Sequence, residues 1–255
     1  MTILGIDIGG SGIKGAPVDV DSGRMLSERY RIPTPEPATP DAVADIVAKI
    51  VDEFDCVGPF GCTVPARVEN GVVYTAVNIH EEWINCKIDD LLFKRTGRLV
   101  EVLNDADAAG MASLKFGAGV NCEGVVLFLT IGTGIGSALF VNGVLVPNTE
   151  LGHLSLHGEI ADDYASARAR TQNDLTWPEW SVRFQEYLER VEFLMTLDWI
   201  IIGGGASHPE KTEQYLHLLK TRAELRAETL GNEAGIIGAA FNAKHLVVER
   251  ELRTL

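Results

Sequence analysis

The feature that most limits what this chain can fold into is a segment that occurs twice. ILGIDIGGSGIKGA at 3–16 and LFLTIGTGIGSALF at 127–140 follow one plan: an apolar strand, an Asp or Thr near its end, a glycine-rich turn and a second strand. The two copies lie about half a chain apart in 255 residues. A supersecondary unit repeated once per half predicts two similar lobes facing a cleft. Clefts between lobes are where ligands commonly bind.

The rest of the chain fills in around the two copies. Runs at 3–8, 13–20 and 24–32 predict a three-stranded antiparallel meander, with a turn at Asp21-Ser22-Gly23. PTPEPATP at 33–40 is a stiff loop, and Thr39 followed by Pro40 predicts a helix start. Val43, Ile46, Val47, Ile50, Val51 and Phe54 then recur at helical spacing on one face. Strands are expected at 57–64, 99–103, 125–130 and 199–202. A hairpin should turn at Asn142-Gly143, between strands at 137–141 and 144–146. Helices are expected after Asp105, over about 177–197 with Thr176 and Glu179 as a capping box, and from about Asn232.

Composition removes several classes of function. A net charge of −14 argues against nucleic acid or an anionic membrane as a general partner. No apolar stretch reaches the roughly 18 residues that would span a bilayer, and MTILGIDIGG enters a strand with no basic start or cleavage site. Cys56, Cys62, Cys86 and Cys122 are scattered, as reduced thiols of a cytoplasmic protein would be.

Several residues could carry chemistry. In Asp7-Ile8-Gly9-Gly10-Ser11-Gly12, glycines would let backbone N–H groups approach a phosphate, Ser11 adds a hydroxyl, and Asp7 could hold a hydrated Mg2+. A purely structural hairpin would look much the same. Thr130-x-Gly132-Thr133-Gly134-x-Gly136 is the second such turn, and it fits neither the Walker nor the dinucleotide pattern. Gly203-Gly204-Gly205 follows a buried strand and could receive a nucleotide or simply turn tightly. Asn104-Asp105 ends a strand before a helix, where a carboxylate could take a proton from an attacking hydroxyl or could cap the helix. Glu150 and His153 could both hydrogen-bond sugar hydroxyls. Lys14, Arg168 and Arg170 could line a path for a polyanion, or the two arginines could be solvated helix charges.

DIGGSGIKG, NDADAAG, LTIGTGIGSALF, NGVLVPNTELGH, YASARAR, IIGGG and NEAGIIGAA, in this order over residues 3–241, resemble the ROK sugar-kinase family and within it the bacterial polyphosphate glucokinases. The resemblance implies an α/β, two-lobed, actin-like fold of the sugar-kinase, Hsp70 and actin type, with duplicated mixed-sheet halves. The expected lobes are 1–105 with a C-terminal helix at about 240–250, and 106–239. It implies a kinase that moves a phosphoryl group from polyphosphate or ATP to the 6-hydroxyl of glucose, with Mg2+ held by Asp7 through water. Asp105 corresponds to the general base. Thr63, Pro65, Asn78, Asn104, Glu150, His153 and Asp162 correspond to the sugar site. Asp7, Gly9, Gly10, Ser11, Gly12, Lys14, Thr130, Gly132, Thr133, Gly134 and Gly203 to Gly205 correspond to the phosphate and nucleotide side. A homodimer is expected from the family alone.

The departures are informative. Many relatives carry a cysteine-rich zinc knot after the ELGH motif; HLSLHGEIADDYAS has no cysteine, so no zinc is expected. Asp162 stands where the family has a Glu, one methylene shorter, which leaves glucose and mannose both open. His80-Glu81-Glu82-Trp83 stands where the polyphosphate enzymes have Asp-Lys-Ser-Trp, which leaves the donor open. The competing readings are a strictly ATP-dependent kinase of another hexose such as mannose, and a sugar sensor without catalysis. A sensor of the repressor type would need a helix-turn-helix ahead of a strand that begins at residue 3.

Overall fold

Two glycine-turned hairpins seed two sheets of the same topology. The structure, a computed structural model, describes residues 1–76 and 79–252, the last four of these by backbone alone. It divides into two units, Met1–Ala112 with Glu233–Leu255, and Ser113–Asn232.

In the first unit β1 (Thr2–Ile8) pairs antiparallel with β2 (Ile13–Asp19). The expected third strand splits into β3 (Arg24–Met25) and β4 (Tyr30–Ile32), both antiparallel to β2. The break falls opposite Pro17, which has no N–H to give to a ladder, and the chain bulges over residues 26–29. Helix α1 (Pro40–Glu53) begins as its sequence directs: Thr39 Oγ1 accepts from Ala42 N at 3.3 Å, and Val43, Val47, Ile50 and Val51 are buried. A cap of this kind contributes about 1 kcal/mol. β5 (Phe60–Val64) lies parallel to β1 and starts later than expected, since Val57 is exposed. A ribbon of β6 (Val68–Glu69) and β7 (Val72–Val73) and helix α2 (Ile88–Thr96) lead to β8 (Val100–Asn104), parallel to β5. Helix α3 (Asp105–Phe116) follows at once.

The second unit repeats the order. β9 (Val125–Ile131) pairs antiparallel with β10 (Ile135–Val141), which pairs with β11 (Val144–Val146). Asn142 and Gly143 turn between β10 and β11 with φ of 51° and 78°, as a two-residue hairpin requires. A small ribbon of β12 (Ser155–Leu156) and β13 (Glu159–Ile160) precedes α4 (Ala161–Ala165), α5 (Ala167–Gln172) and α6 (Trp177–Leu194). Thr176 and Glu179 form the expected capping box, and α6 stops at Leu194 rather than 197. β14 (Trp199–Gly203) is parallel to β9, and after α7 (Pro209–Tyr215) β15 (Glu224–Ala227) is parallel to β14. The sheet orders β3-β2-β1-β5-β8 and β11-β10-β9-β14-β15 match strand for strand. Helices α8 (Ala234–Asn242) and α9 (Lys244–Leu252) end the chain.

The second unit's core is aromatic. The Trp180 ring lies 4.7 Å from Phe184, 5.0 Å from Tyr215 and 5.2 Å from Trp177, and its Nε1 donates to Ala165 O at 2.8 Å. Removing a buried ring of this kind costs about 3–5 kcal/mol. The first unit's core is mainly aliphatic around Phe60 and Trp83, and its sheet comes very close to α8. A Cβ at Gly5 would strike the Ile236 carbonyl, and one at Gly61 the Ala239 carbonyl. That approach places all of α8 in the first unit, whereas the expected division gave it only the residues from about 240.

Candidate active site and family

In the first unit the candidate residues gather at the ends of β1, β5 and β8. Asp7, one residue from the end of β1, accepts from Thr63 Oγ1 at 2.7 Å and pairs with Lys14 Nζ at 3.1 Å. Register explains the trio: Asp7 lies opposite Thr63 on β5 and opposite Lys14 on β2. Thr63 is fully buried, and its hydroxyl serves Asp7 from within the sheet. Gly235, in the first turn of α8, faces the same carboxyl; a Cβ there would come within 3.1 Å of it. The positive end of a helix favours a carboxylate.

The turn from Gly9 to Gly12 closes with Gly9 N donating to Gly12 O at 3.2 Å. Two residues that the motifs did not point to brace it. Thr34 Oγ1 donates to Gly9 O, and Arg31 Nη2 donates to Ser11 O, each at 2.6 Å. The carbonyls of Gly9, Ser11 and Gly12 are thereby occupied, which removes acceptors that would repel an anion. A Cβ at Gly12 would meet the Arg31 guanidinium, which would have to shift to admit it.

Asn104 and Asp105 divide the two roles their positions allowed. Asn104 is the cap: its Oδ1 accepts from Ala106 N at 2.8 Å and Asp107 N at 3.1 Å, and its Nδ2 donates to Ala66 O at 3.2 Å. Ala66 N in turn donates to Val64 O at 2.8 Å across Pro65. The buried Asn104 thus ties the end of β8 to the turn after β5, and Asp105 opens α3 as its first residue. The Asp105 carboxyl is half-buried, with Oδ1 accepting from Ala106 N at 2.9 Å. Asn78 lies outside the described residues.

In the second unit the turn over Gly132, Thr133 and Gly134 follows Thr130 and closes with Gly132 N donating to Gly134 O at 2.9 Å. Its brace comes from α4 and α5. Arg168 N, at the start of α5, donates to Gly132 O at 3.1 Å. Asp162, only 7% exposed, accepts from Ile135 N at 2.7 Å through Oδ1. A Cβ at Gly134 or Gly152 would strike the Asp162 carboxylate. Burial pushes this carboxyl above the usual carboxylate range, while the Ile135 N–H and charge at His153 and Arg168 pull it back. Glu150 and His153 meet at 3.6 Å. The loop that carries Glu150 is fixed by Ser137, whose Oγ donates to Thr149 O at 2.7 Å and accepts from Leu151 N at 3.0 Å.

Gly203 lies opposite Thr130 in the β14–β9 ladder, so the third glycine run begins beside the second turn. Gly204 needs its glycine, having φ of 70° and the Ile131 backbone where a Cβ would sit. Lys211 Nζ donates to Gly205 O at 2.5 Å, another contact the sequence did not suggest. Of the supposed polyanion cations, Arg170 is structural: its guanidinium lies 4.4 Å over Trp177 and donates to Leu175 O. Arg168 pairs with Asp163 at 3.2 Å.

Among the described residues no three acidic, His or Cys side chains gather as a metal cage. Asp7 accepts one hydrogen bond on each oxygen, which leaves lone pairs for a hydrated ion that arrives with substrate phosphates. The Asp7 site therefore fits Mg2+ in that form.

Comparison with known proteins agrees with this architecture. The polyphosphate glucokinase of Mycobacterium tuberculosis is 45% identical over 239 residues, 93% of this chain and 89% of that protein. The crystal structure of the inorganic polyphosphate/ATP-glucomannokinase from Arthrobacter sp. strain KM superposes with a TM-score of 0.91 at 47% identity, over 96% of this chain and 99% of that one. A ROK family glucokinase from Streptomyces griseus, solved with glucose and AMPPNP, shares the fold at a TM-score of 0.79 and 24% identity, over 96% of this chain and 100% of that one. The duplicated sheets are those of the actin-like sugar kinases, and with residues 3–171 matching the ROK family, the chain belongs to that family.

Proposed function

We propose that this protein is a glucokinase that transfers the terminal phosphoryl group of polyphosphate or ATP to the 6-hydroxyl of glucose. The observation that carries the proposal is the division of labour at residues 104 and 105. Asn104 caps the helix, and Asp105, whose Oδ1 also takes the Ala106 N–H, stands beside it as a half-buried carboxylate at the positive end of α3. Identity of 45% and 43% to two polyphosphate glucokinases, in each case over 93% of this chain, supports the same reading.

In this reading Asp105 accepts the proton of the 6-hydroxyl as that oxygen bonds to the terminal phosphorus. The bridging P–O bond of the donor breaks, and the donor leaves one phosphate shorter. Glu150 and His153 orient sugar hydroxyls, and Asn104 holds the segment around Ala66. The glycine turns supply N–H groups to the phosphates. Mg2+, held by Asp7 through water, would neutralise charge on the donor.

Asp105→Asn should keep glucose affinity and lower kcat by about 10² or more. Turnover near that of the wild type would remove Asp105 as base. A panel of polyphosphate and ATP against glucose and mannose tests the activity itself. Mannose as a second acceptor is favoured by the glucomannokinase relative. We further propose a cytoplasmic homodimer. Reduced thiols such as the four free cysteines persist in that compartment. The exposed Val182 and Phe193 of α6 offer apolar surface to a second copy, to be checked by light scattering.

A further inference from the structure

Arg31 is placed as no ordinary surface arginine would be. It lies directly opposite Lys14 in the β2–β4 ladder, and like charges directly opposite each other weaken a sheet. Lys14 is compensated by Asp7 at 3.1 Å. Among the described residues no acid pairs with Arg31, although the chain has 36 acidic residues against 22 Lys and Arg. It is instead bound to the first glycine turn, through Ser11 O at 2.6 Å, with its guanidinium against Gly12, where a Cβ would meet it. Three residues on, Thr34 holds Gly9 O. The side chain is exposed, and one of its five N–H donors is spent on the turn. A guanidinium held to the glycine turn by one hydrogen bond, with no carboxylate to balance it, can offer an anion planar, bidentate geometry.

We propose that Arg31 is a donor-binding residue that, with Lys14, takes a phosphoanhydride oxyanion of the phosphoryl donor at the first glycine turn, and that it serves polyphosphate more than ATP. The preference follows from charge. A long polyphosphate carries anionic oxygens on every unit beyond the transferred one, whereas a nucleotide ends its anionic run after three. The proposal rests on the kinase reading above, and the test separates the two.

Binding of long-chain inorganic polyphosphate is measured by calorimetry without glucose, and steady-state kinetics are measured with polyphosphate and with ATP. Arg31→Gln should weaken polyphosphate binding and raise its KM by about 10-fold, the loss expected for one charged hydrogen bond. The KM for ATP should rise less, and the KM for glucose should not move. The salt dependence of polyphosphate binding should fall by about one counterion. Arg31→Lys keeps the charge without the fork and should fall between the two; it decides the matter if Arg31→Gln lowers Tm. Polyphosphate binding and KM unchanged in Arg31→Gln would overturn the site while leaving the kinase reading intact. A glucose KM rising in step with that of polyphosphate would also overturn it. Wild-type protein that binds polyphosphate through Arg31 yet phosphorylates no hexose would leave the site standing and remove the kinase reading.

Discussion

The two glycine turns begin from the same sequence plan and are braced by opposite chemistry. The first turn is held by donors: Thr34 and Arg31 reach its carbonyls from β4 and the loop after it. The second is held by a buried acceptor, Asp162, which takes the Ile135 N–H, and by a backbone N–H at the start of α5. The first turn therefore gains a cation at its surface, and the second gains a carboxylate behind it. A duplicated hairpin thus fixes where two glycine turns occur, while the segments packed on each decide its charge. The glycines differ accordingly. Gly10 has open space where a Cβ would point, and Gly134 has Asp162 there.

That contrast can be tested at its ends. The largest effect is expected from Gly134→Ala. Its Cβ has no room unless Asp162 moves, so the second unit should lose about 1–3 kcal/mol, the usual cost of overpacking, together with most kinase activity. Unchanged Tm and kcat would mean that Asp162 is not a brace. Asp162→Asn should act more weakly and through pH. The carboxyl's folded pKa is raised, so the folded state favours the proton. Its contribution to stability is then fully present below about pH 4, the unfolded value, and is lost as pH rises through the raised folded value. Wild-type Tm minus variant Tm should fall from acid towards neutral pH; a rise over that interval would contradict the assignment. Gly10→Ala should matter least to stability, within about 0.5 kcal/mol by thermal melt, as is usual for a surface change. If the turn binds phosphate, the same variant should still raise the donor KM; a donor KM that stays put would separate Gly10 from the phosphate site.

Much of this architecture was legible because it is local. Thr39 and Thr176 sit three residues from the amides they cap, and the Asn142-Gly143 turn needs only its own two φ angles. The hairpins, the helix face of α1 and the strand before Asn104 all follow from periodicity and punctuation. The meander's third strand divides in two because its course depends on what lies across the ladder, at Pro17. The family resemblance puts Thr63 and Asp162 at the sugar site; in the fold Thr63 Oγ1 donates to Asp7 and Asp162 Oδ1 accepts from Ile135 N, contacts that no motif announces. Arg31, Thr34 and Lys211 carried no motif at all, and Ser137, although inside the second glycine-rich segment, had no role marked by its place there.

By itself the sequence determined that there are two glycine-turned hairpins, where the main helices begin, and that a carboxylate follows Asn104 at a strand end. These are properties of neighbouring residues, fixed by backbone dihedrals, caps and alternation. Tertiary structure alone decided that Asn104 caps the helix by tying in Ala66, that Arg31 rests on Gly12, and that Asp162 lies beneath Gly134. Each of those facts joins residues far apart in the chain, and only strand register and close packing bring such atoms within hydrogen-bonding distance.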